Sequence, residues 1–319
     1  MTVKKILIAS ALAIFSSAVT AQNFPAKPVR ILVGFGAGGA TDIVARTLAQ
    51  SLTADWKQNV LVENRAGASG MIAAEIAKYA APDGYTLLLY GSPLWLSPFL
   101  REKLPYDPVR DFAMISPLTF YPFVVSVTPA SPFKSIEELI AYAKANPGKL
   151  NFAISGTGGA PHLAGIAFAQ RTGINWAYIP YKGGSQAVAD VASGQANVIM
   201  NGMLATYPTM KSGRIRALAI SSAQRVGSAP EVPTIAETLP GFETGSYQGL
   251  LAPAGTPRDV VGKLNAEVAK ILATPEMREK LAVLGTEVRT AQPEALGTFI
   301  AAEKTRWAQV IKESGIKFD

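Results

Sequence analysis

Cysteine is absent from the 319 residues, and histidine occurs once, as His162. Without thiols the chain can hold no disulfide framework, no thiolate-bound zinc or iron–sulfur site and no cysteine nucleophile. A single imidazole cannot build a histidine cluster for a metal either. Charge is also scarce, at 17% of residues against 49% hydrophobic. A disordered chain of that composition would leave a large apolar surface in water, so a packed fold is expected. No block of five like charges occurs and Lys/Arg are scattered along the chain, which argues against a nucleic-acid partner. Gly-x-Ser-x-Gly, the nucleophile elbow of many hydrolases, is missing, and a Ser-His-Asp set would have to use His162.

What is present begins with the leader. Lys4 and Lys5 precede an apolar run from Ile6 to about Val19, and small residues at Val19 and Ala21 flank a cleavage point before Gln22. Residues 1–21 read as a signal peptide, because the run is too short to span a bilayer and no lipoprotein cysteine follows. Losing Lys4 and Lys5 takes the net charge from +7 to +5, a weak field favouring anions.

Beyond Gln22, short apolar runs alternate with amphipathic segments, the signature of an α/β fold with largely parallel sheets. Strands are expected over residues 29–34, 59–63, 85–90, 123–127, 150–155, 176–180, 196–200 and 216–221. Helices follow most of them. One spans residues 135–146, with Ser135 and Glu138 as a capping box, and others cover 256–273 and 293–313. The length suggests two lobes, with crossings between them at residues 119–123 and 224–245, where Pro230, Pro233, Pro240 and Gly241 interrupt every periodicity.

Two glycine loops carry the sharpest local signal. In the first, strand 29–33 runs into Gly34, Gly36, Gly38 and Gly39 and then into a helix with a stripe of Ile43, Val44, Leu48 and Leu52. Glycines allow positive φ and close approach of N–H groups, and the helix start adds partial positive charge, so the loop reads as an anion cradle. In the second, Asn151 to Ser155 leads into Gly156, Thr157, Gly158 and Gly159 before Pro161 and His162. If each lobe carries one loop, the two helix starts can share one anion, and backbone donors suit a carboxylate. Either His162 donates to that ligand or it caps and packs. Gly34, Gly36 and Gly39 also satisfy a dinucleotide fingerprint, with Glu63 near the position of a ribose-binding acid. An exported chain is a poor setting for such a cofactor, and none is expected.

The chain resembles the solute-binding receptors of tripartite tricarboxylate transporters, the Bug or TctC family. The resemblance is carried by Phe24-Pro-Ala-Lys-Pro28, Gly38-Gly-Ala-Thr-Asp42, Val62-Glu-Asn-Arg-Ala-Gly67, Ala81-Pro-Asp-Gly-Tyr-Thr86 and Leu104-Pro-Tyr-Asp-Pro108. Further on come Pro147-Gly-Lys-Leu-Asn151, Ile179-Pro-Tyr-Lys-Gly183, Val232-Pro-Thr234 and Leu250-Leu-Ala-Pro-Ala-Gly-Thr-Pro257. It implies a two-lobed type II periplasmic binding protein, a Venus flytrap with two hinge crossings. Lobe 1 would comprise residues 22–122 and 246–319, and lobe 2 residues 123–245. A monomeric, non-catalytic periplasmic receptor would then close on a small carboxylate and pass it to membrane permease subunits. A periplasmic sensor serving a signalling partner is the alternative, with a secreted hydrolase or NAD-dependent dehydrogenase behind it.

The binding residues this implies are Gly36, Gly38, Gly39, Ala40 and Thr41 in the first loop and Ser155, Gly156, Thr157, Gly158, Gly159 and His162 in the second. Ser92, Tyr181, Asn201 and Gly202 are expected along the cleft, with Trp95, Met203 and Tyr247 as an apolar wall. Asn201-Gly202-Met203 contains no acid to pair with an ammonium group, and Trp95 could cover a ring, so aromatic or apolar carboxylates are expected to outcompete amino acids.

Overall fold

The structure, a computed structural model, describes residues 24–101 and 103–314; the leader expected over residues 1–21 lies outside them. In chain order the strands are β1 (Val29–Val33), β2 (Val60–Asn64), β3 (Thr86–Gly91), β4 (Phe112–Val127), β5 (Asn151–Ile154), β6 (Ala177–Pro180), β7 (Val198–Gly202), β8 (Arg216–Ile220), β9 (Gly245–Pro253) and β10 (Glu287–Val288). The helices are α1 (Ala40–Trp56), α2 (Met71–Lys78), α3 (Pro93–Leu100), α4 (Ile136–Ala145), α5 (Ala160–Thr172), α6 (Gly184–Ala192), α7 (Met203–Lys211), α8 (Ile235–Thr238), α9 (Arg258–Ala273), α10 (Pro275–Val283) and α11 (Pro293–Ser314).

Two parallel triplets arise from strand–helix–strand units: β2-β1-β3 and β6-β5-β7. Their strands are apolar because helices cover both faces; Leu87, Leu88 and Leu89 of β3 are all fully buried, each worth about 2 kcal/mol of hydrophobic stabilisation. Between the triplets runs an antiparallel spine that the sequence reading lacks. β9 pairs with β3 and with the first part of β4, from Phe112↔Pro253 to Pro122↔Gly245. From Phe123 onward β4 pairs with β7 and β8 instead. The sheets are therefore mixed rather than largely parallel, and one strand belongs to both.

The start of β4 escapes sequence reading because Pro117 and Pro122 argue against a central strand. Register shifts between Met114 and Ser116 and between Pro117 and Thr119 accommodate the irregularity. Residues 119–123 consequently lie inside a continuous strand, not in a connection between elements.

Two caps also differ from expectation. Ser135 Oγ accepts from Glu138 N–H, but Glu138 Oε2 accepts from Lys134 N–H, so the box there is only half made. A complete box forms at Thr234 and Glu237, starting α8 inside the stretch 224–245 that reads as unstructured. Helix α3 is apolar all round because it is packed between β3 and α11.

Candidate functional site

The two glycine loops share the turn that leads into their helices, although Gly156 has φ of +126° and Gly36, at the equivalent position, does not have a positive φ. Gly38 and Gly158 have φ of +76° and +74°, the left-handed region that favours glycine, and Gly39 and Gly159 then return to extended backbone as N-caps of α1 and α5. Gly39 N–H bonds Gly36 O at 3.3 Å, and Gly159 N–H bonds Gly156 O at 3.1 Å. Gly38 N–H donates to Asp42 Oδ2 at 2.9 Å; in the second loop Gly158 N–H donates to His162 Nδ1 at 3.0 Å. A carboxylate and an imidazole thus do the same job at equivalent positions.

These bonds change which donors a ligand can use. The expected glycine N–H groups at 38, 39, 158 and 159 are consumed within the loops. Intrahelical bonding starts at Ile43 and Leu163, which reach Gly39 O and Gly159 O. Ahead of them, the N–H groups of Ala40, Thr41 and Ala160 have no acceptor among the described residues. Pro161 contributes none, so the α1 side carries more donors than the α5 side.

Asp42 and His162 are both buried. Burial works to raise the Asp42 carboxyl, but bonds from Arg46, Gly38 and Asn64 outweigh it and hold it below the usual carboxylate value. For His162 burial pushes the imidazole down to about 4, so it is neutral near pH 7 and its Nδ1 lone pair can accept. Its ring packs edge-on against Tyr178 at 4.9 Å. The structure thus makes His162 a loop-holding group.

Both helix starts open on one inner pocket of about 60 Å3. Of the expected residues, Gly39, Ala40, Thr41, Ser155, Gly159, Asn201 and Gly202 line it. Residues not singled out as ligand-binding also line it, among them Phe35, Gly91, Pro93, Tyr121, Ala160, Gly184 and Ser246. Gly202 is required there by packing, since a Cβ would come within 2.5 Å of the Tyr121 ring. Phe35 and Ser155 also border an outer chamber of about 360 Å3, which Gly156, Thr157 and Tyr181 line together with Ser69, Arg101 and Lys182. The motifs ending at Gly67 and Gly183 were the available signal for this second space.

Several expected residues line neither space. Trp95 is 0% exposed and lines neither space, because α3 buries it in the main core. Met203 packs with Val124, Tyr207 and Ile220, and Tyr247 lies against Phe120 with ring centroids 4.6 Å apart. The apolar wall of Trp95, Met203 and Tyr247 therefore does not form. Ser92 is buried behind the pocket, 3.3 Å from Ser246 Oγ. Gly38 lies against Ser185 of α6, while the backbone of Gly36 lies beside Gly183 and a side chain at position 36 would meet open space.

Two mixed sheets sharing β4, with paired helix starts at one pocket, define the class: an α/β ligand-binding receptor of the periplasmic binding protein type. The description of the tripartite tricarboxylate transporter family receptor matches residues 44–316. Protein BugT of Bordetella pertussis is 37% identical over 302 residues, covering 94% of this chain and 93% of BugT. Among solved structures, R. palustris Rpa4515 with adipate is 34% identical, with a TM-score of 0.90 over 92% of this chain and 99% of that one. The periplasmic binding protein BugD is 36% identical, with a TM-score of 0.88 over 92% of this chain and 99% of that one. The chain belongs to the tripartite tricarboxylate transporter receptor family, and is a solute-binding receptor rather than an enzyme.

Proposed function

We propose that this receptor acts in the periplasm after losing residues 1–21, binds one small organic carboxylate between the starts of α1 and α5, and delivers it to permease subunits of its transporter. Lobe 1 is residues 22–122 with 246–319 and lobe 2 is residues 123–245, so α1 and α5 approach the ligand from opposite lobes. The observation carrying this reading is the pair of matched loops whose helix-start N–H groups lack acceptors beside a shared pocket. Adipate in Rpa4515 supports the ligand class. An aromatic preference resting on Trp95 is not retained, since that ring lies in the core.

Substituting Ala40 with Pro tests the cradle with little damage to the fold. Position 40 is the first residue of α1, where proline is tolerated, and Gly39 already has the extended ψ of 166° that a residue before proline needs. The substitution deletes one N–H donor, so carboxylate affinity measured by calorimetry should fall by about 2 kcal/mol, or roughly thirty-fold. The melting temperature of the ligand-free protein should hardly change. Carboxylate affinity equal to wild type in folded Ala40→Pro would refute the assignment.

A further inference from the structure

A groove of about 690 Å3 lies on the opposite face of β4 from the inner pocket. Side chains alternate along a strand, and β4 divides them accordingly: Tyr121 lines the inner pocket, while Phe120 and Pro122 on either side of it line the groove. Helix α7 is shared in the same way, with Ala205 at the pocket and Tyr207 at the groove. One wall of the groove is residues 222–228, which follow β8 in lobe 2. The facing wall is Ala282, Val283 and residues 285–287, around the end of α10 and the start of β10 in lobe 1. The groove therefore spans both lobes at the crossings, with its back to the ligand.

At its base the two lobes touch. Gly285 has φ of +68° and lies so close to Met203 that a Cβ at position 285 would overlap that side chain, and Leu284 packs on the same cluster as Met203. Atoms packed that closely do not compress, so this contact serves as a pivot. The ion pairs at the groove stay within each lobe, Arg225 with Glu237 and Arg289 with Glu287, and do not tie one wall to the other. On the other face the cleft is shut, since Ser69 Oγ bonds Thr157 O and Ser185 Oγ bonds Ala37 O across it. A wide groove accompanies a shut cleft.

We infer that the groove is a counter-cleft whose width sets the balance between open and closed receptor. This rests on the reading that the lobes close on a ligand. Rotation about β4 that parts the starts of α1 and α5 swings residues 222–228 toward Ala282 and Val283, so the groove narrows as the cleft opens. Ala223 and Ala282, one on each wall, lie outside the ligand cleft, yet bulk at either position biases the equilibrium. Whatever keeps the walls apart favours the closed form, and affinity rises because a larger fraction of the receptor is then competent to bind. Affinity is thus set in part from a surface that leaves every ligand contact unchanged.

Ala223→Trp and Ala282→Trp place a wedge on either wall, and both positions are exposed, so neither ring is forced into a packed core. Ala223→Ser, too small to bridge the groove, is the control. Adipate titrated calorimetrically into each full protein should bind the two Trp variants at least about three-fold more tightly than wild type or the control. Small-angle scattering without ligand should give the Trp variants a radius of gyration closer to that of adipate-saturated wild type. Adipate affinity no higher than wild type in both folded Trp variants, or an unchanged ligand-free radius in both, overturns the counter-cleft and leaves the inner pocket standing. Equal wild-type radii with and without adipate remove hinge closure itself, and this inference with it.

Discussion

Asp42 and His162 each stand four residues beyond a left-handed glycine and accept its N–H, yet one is an anion and the other a neutral base. The difference makes the second loop sensitive to acid. An unfolded histidine titrates near its ordinary 6.5, whereas burial holds His162 to about 4. Between those values the unfolded chain binds the proton and the folded chain does not. Stability from this residue is therefore full above about pH 6.5 and is lost as pH falls toward 4, by on the order of 3 kcal/mol. Protonation would also remove the lone pair that accepts from Gly158. Urea denaturation of wild type and His162→Asn should give a stability difference that shifts by that amount between pH 7 and pH 4, because the carboxylates titrate alike in both. A difference that stays constant with pH would rule out the buried neutral imidazole.

At the scale of elements, β4 and β9 matter most. β4 leaves its pairing with β9 at Pro122 and takes up β7 at Phe123, so a peptide bond separates the two sheets' ladders. The return passes through Thr244 into Gly245 at the start of β9. Ser221, fully buried just after β8, ties the two crossings together. Its Oγ accepts from Phe123 N–H at 2.8 Å and donates to Thr244 O at 2.6 Å, while its own N–H and carbonyl bond Phe123 O and Thr244 N–H. Ser221→Ala would strand two buried polar groups, and a loss of about 3 kcal/mol in denaturant unfolding is expected. A loss below about 0.5 kcal/mol, the range of an ordinary surface substitution, would show that the crossings do not depend on that hydroxyl.

Across the whole molecule, the two sides of the cleft are joined by side-chain bonds from Ser69 Oγ to Thr157 O and from Ser185 Oγ to Ala37 O at 3.4 Å. Such bonds contribute about 1 kcal/mol each, so a ligand touching both sides can move the balance between open and closed forms. Against opening stands α11, which packs on α3, β4 and α5 together and so links both parts of the molecule. Small-angle scattering with saturating adipate should give a smaller radius of gyration than without it. Equal radii would mean that α11 and the Ser221 tie keep the lobes in one arrangement and that ligand enters without hinge motion.

The local requirements of this protein are written in its sequence. Left-handed backbone needs glycine and a helix start needs residues that do not obstruct it, so Gly34 to Gly39 and Gly156 to Gly159 announce two cradles without reference to anything distant. The alternating apolar runs likewise specify the parallel triplets, because short strands followed by helices pair that way. Which N–H groups remain for a ligand was decided only by the tertiary structure, once Asp42 and His162 had taken those of Gly38 and Gly158. The same holds for Trp95, whose aromatic face reads as a ligand wall until α11 and β3 enclose its helix, and for β9, an apolar run whose antiparallel place depends on β3 and β4 far away in the chain. Arg101 and Lys182 share a chamber although 81 residues separate them, since the direction a side chain faces depends on what packs around its element and not on its neighbours in sequence.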